Sequence, residues 1–536
     1  MAAIFSDSPT HPLDALKDHF TLHDHQLHAI TKTFLSEVSD GLSKYGHPMA
    51  MIPTYVKGVP NGSETGTFLA LDLGGTNLRV CEVTLHGDKT FSIRQQKYKV
   101  SEALKTGEAT TLFDYLADSV DAFLTVSPKA ESPKIDGFRH TSFNDSDPPA
   151  VPLALTFSFP VEQTALDSGF LLTWTKGFSA KNAVGKDVVK LLQDAFDRKH
   201  IHVKCVALVN DTVGALLSRA YNTGGCMLGA IFGTGTNGAY VESVSNITKL
   251  GKHPTAAAGG MMIVNTEWGG FNNSRSVLPT TPWDNKLDRE SINPRFQAFE
   301  KFISGMYLGE IARNVVLSFI DAAPKPLLFT GRSTPILNKQ WAFDTAVLSE
   351  VEEAWTGLGR FSGSSEKDQR QRVRGVLLQR FEFESDDLVS LEDAATVRQI
   401  CTLVVDRAAR MSACAVAAIL VQTGRARLGG EGKGELVDSG ERIGVGVDGS
   451  LVEFYPNFQK KMRDSIRVLV GSEVESRVEI GMAKDGSGAG AALCALIAQK
   501  MSEGASLSAG YHNDPPPPTR SRTDDAAYLS SFRLKP

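Results

Sequence analysis

Two short stretches of this sequence are made of the residue types that hold phosphate. Gly233-Thr-Gly-Thr-Asn-Gly238 is a literal G-x-G-x-x-G, and Asp72-Leu-Gly-Gly-Thr-Asn77 is a second run of glycine, hydroxyl and amide. The first pattern is a dinucleotide fingerprint only if a helix opens within it. The residues that follow, Ala239-Tyr-Val-Glu-Ser-Val244, favour a strand instead. The context is therefore strand, Gly-rich turn, strand. Such a turn aims consecutive backbone N–H groups and hydroxyls at one point, an arrangement that binds phosphate oxygens. Two of them face to face would hold a polyphosphate, and Asp72 adds a carboxylate suited to magnesium or its waters. The P-loop pattern G-x-x-x-x-G-K-[ST] does not occur.

A second set of polar residues interrupts apolar runs: Ser158 in LTFSFP, Lys176 in LTWTKGF, Asn210-Asp211 in CVALVNDTVG, Glu267 in VNTEWGG and Glu300 in QAFEKF. Asp211 follows an apolar run and precedes a helical pattern. It is either a helix N-cap or a carboxylate at a cleft edge able to accept a hydroxyl proton. Lys176, between Trp174 and Phe178, either snorkels or reaches a ligand. Together, Ser, Thr, Lys, Asn, Asp and Glu suit a polyhydroxyl ligand. Near the end of the chain, Gly449-Ser450 makes another small turn. DGSGAGAALCALIA (485–498) opens a small-residue helix, which would either admit a flat base or allow tight helix–sheet packing.

The elements that must position these residues are legible from periodicity. Residues 21–46 have helical spacing, with Thr21 as the expected N-cap and Gly46 and Pro48 ending the pattern. Strands are expected at 67–73, 78–85, 91–100, 205–209 and 477–481, and helices at 109–124 and from 212 and 485 onward. Residues 127–150 and 422–442 read as loops, and the proline-containing stretch from about Ser502 as a disordered tail. ALDLGGTNLRVCEV (70–83) laid over AIFGTGTNGAYVES (230–243) aligns Gly75-Thr76-Asn77 with Gly235-Thr236-Asn237 and Glu82 with Glu242. Two matching strand–turn–strand units imply two related α/β domains.

Bulk properties exclude several classes. A hydrophobic fraction of 42% and a charged fraction of 22% are those of a globular protein, and a net charge of −5 over 536 residues gives no case for a nucleic-acid partner. No signal peptide and no apolar run of membrane-spanning length is present, so a cytoplasmic protein is expected. None of the six cysteines forms C-x-x-C, and most lie in apolar surroundings. They read as buried free thiols rather than a zinc site.

The motifs LALDLGGTNLRV, FSFP, LLTWTKGF, VNDTVG, GTGTNGAY, NTEWGGF, FEKFISGMYLGE and GVDGS stand in the order found in eukaryotic hexokinases. VCEVTL, QQKYKV and LDRESINPR most resemble the fungal glucokinase branch, and the resemblance runs from about residue 15 to 500. It implies two actin-like (RNase H-like) α/β domains, small and large, around a cleft. The large domain would take 12–65 and 210–481. The small domain would take 66–209, completed by about 482–500. The implied reaction moves the ATP γ-phosphoryl to the C6 hydroxyl of glucose, and of mannose, fructose or glucosamine if the site is broader. Magnesium would ride on the phosphates, with no direct protein ligand, and the protein would be a monomer. By this resemblance Asp211 is the catalytic base and Lys176 its catalytic partner. Ser158, Phe159, Pro160, Thr175, Lys176, Asn210, Asp211, Asn237, Glu267 and Glu300 would hold the sugar. Asp72, Gly74, Gly75, Thr76, Asn77, Arg79, Gly233, Thr234, Gly235, Thr345, Ser349, Asp448, Gly449 and Ser450 would hold the nucleotide. Val161, Ala483, Lys484 and Asn272-Asn273 depart from the usual family residues. A glucose sensor on the same scaffold is the alternative from another class.

Overall fold

In the computed structural model, the residues described are 12–74, 77–125, 150–174, 177–357, 365–430, 441–483 and 485–504. Strands Thr65–Leu73 and Asn77–His86 form an antiparallel hairpin around the first Gly-Thr-Asn turn. Strands Leu228–Phe232 and Thr236–Ser243 do the same around the second. Each hairpin then gains one antiparallel strand on its second member, Phe91–Lys99 or Met261–Asn265. Each also gains two parallel strands on its first member. These are Val151–Phe157 and Val203–Val209 in one sheet, and Ile443–Asp448 and Val478–Met482 in the other. The spatial order is therefore third, second, first, fourth, fifth in both sheets, with Ile52–Pro53 added as a sixth strand at one edge. The duplication expected from the two turns extends to five strands on each side.

The pleat of Thr65–Leu73 divides two cores. Successive side chains of a strand point to opposite faces. Leu69, Leu71 and Leu73 accordingly join a cluster with helices Ala109–Thr125 and Val188–Arg198. Phe68 and Ala70 face the other way, into the larger core that includes the helix Gly486–Ser502. That helix lies against strands Thr65–Leu73, Val151–Phe157 and Val203–Val209 and also against helix Asp211–Thr223, which packs on the six-stranded sheet. The two helices meet at glycines. A Cβ on Gly490 would stand 2.2 Å from the Gly214 Cα, and one on Gly214 would stand 2.3 Å from the Gly486 carbonyl oxygen. The small residues of 485–498 serve this close crossing.

Several boundaries differ from the periodicity. The first long helix is Asp24–Ser43, opened by His23, whose N–H donates to Gln26 Oε1 at 2.8 Å. Thr21 is not its cap, because the Thr21 N–H closes the last turn of a separate helix, Pro12–Phe20, on the Lys17 carbonyl. A short helix, Ser472–Arg477, takes the start of the strand expected at 477–481, moving that strand to Val478–Met482. The 32-residue helix Leu391–Gln422 runs up to the second expected loop. Most of 127–150, residues 431–440 and the tail from 505 lie outside the described residues. All six cysteines are buried and free. No helix among the described residues is long and apolar enough to cross a membrane.

Candidate active site

Asn210, not Asp211, caps helix Asp211–Thr223. Its Oδ1 accepts from the Thr212 N–H at 2.9 Å and from the Thr212 hydroxyl at 2.6 Å. The capping role open to Asp211 is thereby filled by its neighbour. Asp211 begins the first turn, half-buried, with the Ser158 hydroxyl donating to its Oδ2 at 3.4 Å. With its Oδ1 engaged, Asn210 offers a ligand its amide N–H groups. The helix runs back along strand Leu228–Phe232, and a Cβ on Gly229 would touch the Thr212 carbonyl oxygen. Asp211 therefore lies toward the end of the strand where the 233–235 turn begins.

The three glycines of GTGTNG have separate reasons. Gly233 faces Gly449, whose Cα would be 3.3 Å from a Cβ there. A Cβ on Gly235 would stand 2.7 Å from Glu300 Oε2, and one on Gly238 would stand 2.3 Å from the Trp268 ring. The turn carbonyls are taken by helix Gly305–Ile320, since Gly305 N–H donates to the Gly233 oxygen at 2.7 Å and Met306 N–H to the Thr234 oxygen at 3.1 Å. The exposed Thr234 side chain is left facing outward.

Beyond this turn lies a carboxamide and carboxylate cluster. Asn237 Nδ2 donates to Asn265 Oδ1 at 2.8 Å and to Glu267 Oε1 at 3.1 Å, and Asn265 Nδ2 donates to the same Glu267 oxygen at 2.7 Å. Glu300 Oε2 accepts the Thr236 N–H at 3.0 Å, and Trp268 Nε1 donates to the Thr236 hydroxyl at 2.9 Å. Glu267 itself holds a left-handed backbone, φ 53°. A non-glycine residue in that region is uncommon, and here it sits in a polar cluster, where such backbone strain concentrates. The hairpin thus carries the Gly-Thr turn at its tip, and carboxamides and carboxylates from strand Met261–Asn265, Glu267 and Glu300 gather around Thr236 and Asn237 just inside it.

The hairpin of Thr65–Leu73 and Asn77–His86 carries a charged group near its tip. Asp72 and Arg79 are directly paired across the hairpin, and Arg79 Nη2 donates to Asp72 Oδ2 at 2.6 Å. Arg79 Nη1 reaches Asp485 at 3.4 Å, and Nη2 also reaches the Ser487 hydroxyl. Burial pulls the Arg79 pKa down, but the adjoining Asp72 and Asp485 carboxylates outweigh it and hold the guanidinium above its ordinary value. Asp448 ends strand Ile443–Asp448 of the six-stranded sheet, its Oδ1 accepting the Gly449 N–H at 2.7 Å. Burial raises its pKa. Gly74 N–H bonds the Asn77 carbonyl across the tip.

Three of the expected residues have structural partners of their own. The Phe159 ring is 2% exposed, enclosed by Phe157, Trp174 and Phe178, so it anchors the Ser158–Pro160 segment. Pro160 is half-buried, and its carbonyl accepts the Leu172 N–H at 3.0 Å. The Thr345 hydroxyl donates to the Gly305 oxygen at 2.5 Å and accepts the Gly309 N–H at 2.8 Å. It therefore braces the helix behind the turn. Ser349 lies one turn further along helix Thr345–Thr356, half-buried. Gly75, Thr76, Thr175 and Lys176 lie outside the described residues. Asn265, Gln297, Asp485 and Ser487 join the sites without having been singled out. Asn265 had a signal, a polar residue ending the apolar run Met261–Val264.

Two sheets that share a five-strand order, each built around a hairpin, define the actin-like two-domain class. Two family models described as hexokinase match residues 12–221 and 227–497. The glucokinase of Aspergillus niger is 42% identical over 87% of this chain and 92% of its own. Glucokinase-1 of Saccharomyces cerevisiae is 37% identical over 91% and 97%. A solved hexokinase of Schistosoma mansoni, complexed with glucose, is 33% identical, superposes with a TM-score of 0.73, and covers 91% of this chain and 98% of its own. The chain belongs to the hexokinase family.

Proposed function

We propose that this protein is an ATP-dependent hexose phosphotransferase that makes hexose 6-phosphate, with glucose as the principal acceptor. The observation carrying this reading is the Thr234 turn standing beside the cluster of Asn237 with Asn265 and Glu267 from the neighbouring strand and loop, close to Glu300. Phosphoryl transfer passes through a loose transition state, so the protein mainly positions groups and stabilises charge.

The Thr234 turn and the Asp72–Asn77 turn cradle the phosphates. The carboxamides and carboxylates accept and donate to the sugar hydroxyls. Asp211 takes the proton of the C6 hydroxyl as that oxygen forms its bond to the γ-phosphorus and the bond to the β-phosphate oxygen breaks. The helix N-terminus beneath Asp211 favours negative charge there. Magnesium would arrive with the nucleotide and neutralise phosphate charge, with Asp72 or Asp211 reaching it through water and no direct protein ligand. Lys176 is the second catalytic residue of this reading. Residues 66–209 with 482–500 form the small domain and residues 12–65 with 210–481 the large one. Closure of the two over sugar excludes water from the transfer. A monomer in the cytoplasm fits six buried free thiols, which belong to a reducing compartment.

The test is a magnesium–ATP assay across glucose, mannose, fructose and glucosamine, with Asp211→Ala as control. Turnover should fall by about 10³-fold or more in the variant, while glucose affinity stays within about tenfold. Comparable turnover in the variant removes Asp211 from the role. Glucose binding without sugar phosphate in the native protein makes it a sensor instead.

A further inference from the structure

The helix that carries Glu300 is short, Ala298–Ile303, and its own N-cap residue does not cap it. Gln297 stands there with a left-handed backbone, φ 52°, and makes no side-chain cap bond. The first N–H of the helix is satisfied from elsewhere, since Ala298 N–H donates to Asn273 Oδ1 at 3.0 Å. Asn273 belongs to the loop that follows the 3-10 turn Trp268–Gly270, and that turn begins at Glu267. The Asn273 carboxamide therefore bonds the loop bearing Glu267 to the helix bearing Glu300, beside the packing of Gly269 on Gln297 and of Phe271 on Phe299.

The surroundings make this joint rigid on both sides. Asn272 is occupied with its own loop. Its Nδ2 donates to the Ser276 hydroxyl at 2.9 Å, its Oδ1 accepts the Val277 N–H at 3.1 Å, and its N–H meets Glu37. On the helix side, Gln297 Oε1 lies where a Cβ on Gly269 would be 2.3 Å away, and Lys301 is held by Asp288 at 2.7 Å and by the Asn293 carbonyl. Asn273 is half-buried, with room for a substitution that does not disturb the core.

We infer that Asn273 is a positioning residue for the sugar site, setting the distance between Glu267 and Glu300 through its bond to the Ala298 N–H. The inference rests on the sugar-binding reading of those two carboxylates. Small displacements of binding groups are expensive in a preorganised site, whereas the loss of one side-chain acceptor at a helix end is a modest cost to a fold of this size. Asn273 should therefore act on sugar affinity far more than on folding. Asp at this position keeps the acceptor oxygen and suits a helix N-terminus, whereas Ala removes the acceptor.

The experiment measures glucose dissociation by tryptophan fluorescence, KM for glucose and for ATP, and Tm, for the full chain with Asn273→Ala and Asn273→Asp. Asn273→Ala should raise glucose Kd and KM about fivefold or more, leave KM for ATP within about twofold, and leave Tm nearly unchanged. Asn273→Asp should return glucose Kd to within about twofold of native. An unchanged glucose Kd in Asn273→Ala overturns the assignment. So does an Asp variant as impaired as Ala, or a loss that moves both KM values and Tm together. The native protein, run alongside, separates this from failure of the sugar reading, which would show as no glucose binding in any form.

Discussion

At the residue scale the site is organised by shared acceptors. Glu267 Oε1 receives two amide donors, from Asn237 and Asn265. Glu267→Gln keeps an acceptor for those amides but loses the charge. A hydrogen bond to a charged group contributes about 1.5–3 kcal/mol. Glucose affinity should therefore fall by about tenfold or more while Tm moves little, read by equilibrium titration and thermal unfolding of the same sample. An unchanged affinity would mean that this carboxylate only braces the loop. Asp211 gives the complementary lesson. Position in sequence leaves cap and base open, and the hydrogen bonds of Asn210 close the first option.

At the element scale the decisive contact is the crossing of helices Asp211–Thr223 and Gly486–Ser502. One carries Asp211. The other starts beside Ser487, whose hydroxyl meets Arg79. A Cβ on Gly490 overlaps backbone of the facing helix at 2.2 Å, so the helices must separate to admit it. Overpacking of this kind costs about 1–3 kcal/mol. Gly490→Ala should lower Tm by several degrees and reduce turnover through displacement of Asp211. Gly375, inside helix Glu366–Phe381, has open space around its Cβ position. Gly375→Ala should be neutral or stabilising by up to about 1 kcal/mol. Equal effects at the two sites, measured by urea unfolding, would contradict the crossing as described.

At the scale of the whole molecule the thiols report on opening. Cys81 and Cys205 lie in the five-stranded sheet, Cys226 just before strand Leu228–Phe232, Cys401 and Cys414 in helix Leu391–Gln422 and Cys494 in helix Gly486–Ser502, and all are buried. Burial pushes Cys81, Cys205, Cys226 and Cys414 up to about 12 and raises Cys401 and Cys494 further. The reactive thiolate is therefore suppressed as well as shielded. A disulfide reagent at pH 8 should label none of them within minutes in the native protein and all six in urea. Glucose at 100 times its Kd adds about 2.7 kcal/mol to the folded state, so labelling that needs global unfolding should slow by about 100-fold. Fast native labelling of any one thiol would reveal local opening around it.

The sequence by itself determined the chemistry and the duplication. Glycine, threonine and asparagine at matched positions in 70–83 and 230–243 specify two hairpin turns, and β-forming residues after each turn exclude a helix there. Local propensity suffices for these features because each lies within a few residues of its cause. Only the tertiary structure decided which neighbour does which task. The cap passed to Asn210, the Phe159 ring went into an aromatic cluster, Thr345 became a brace, and His23 replaced Thr21 at a helix start. Asn265 and Asn273 gained roles through partners 28 and 25 residues away, at Asn237 and Ala298. Those assignments depend on hydrogen bonds and packing between segments distant along the chain. Neither periodicity nor residue type encodes such contacts until the sheets and helices have been brought together.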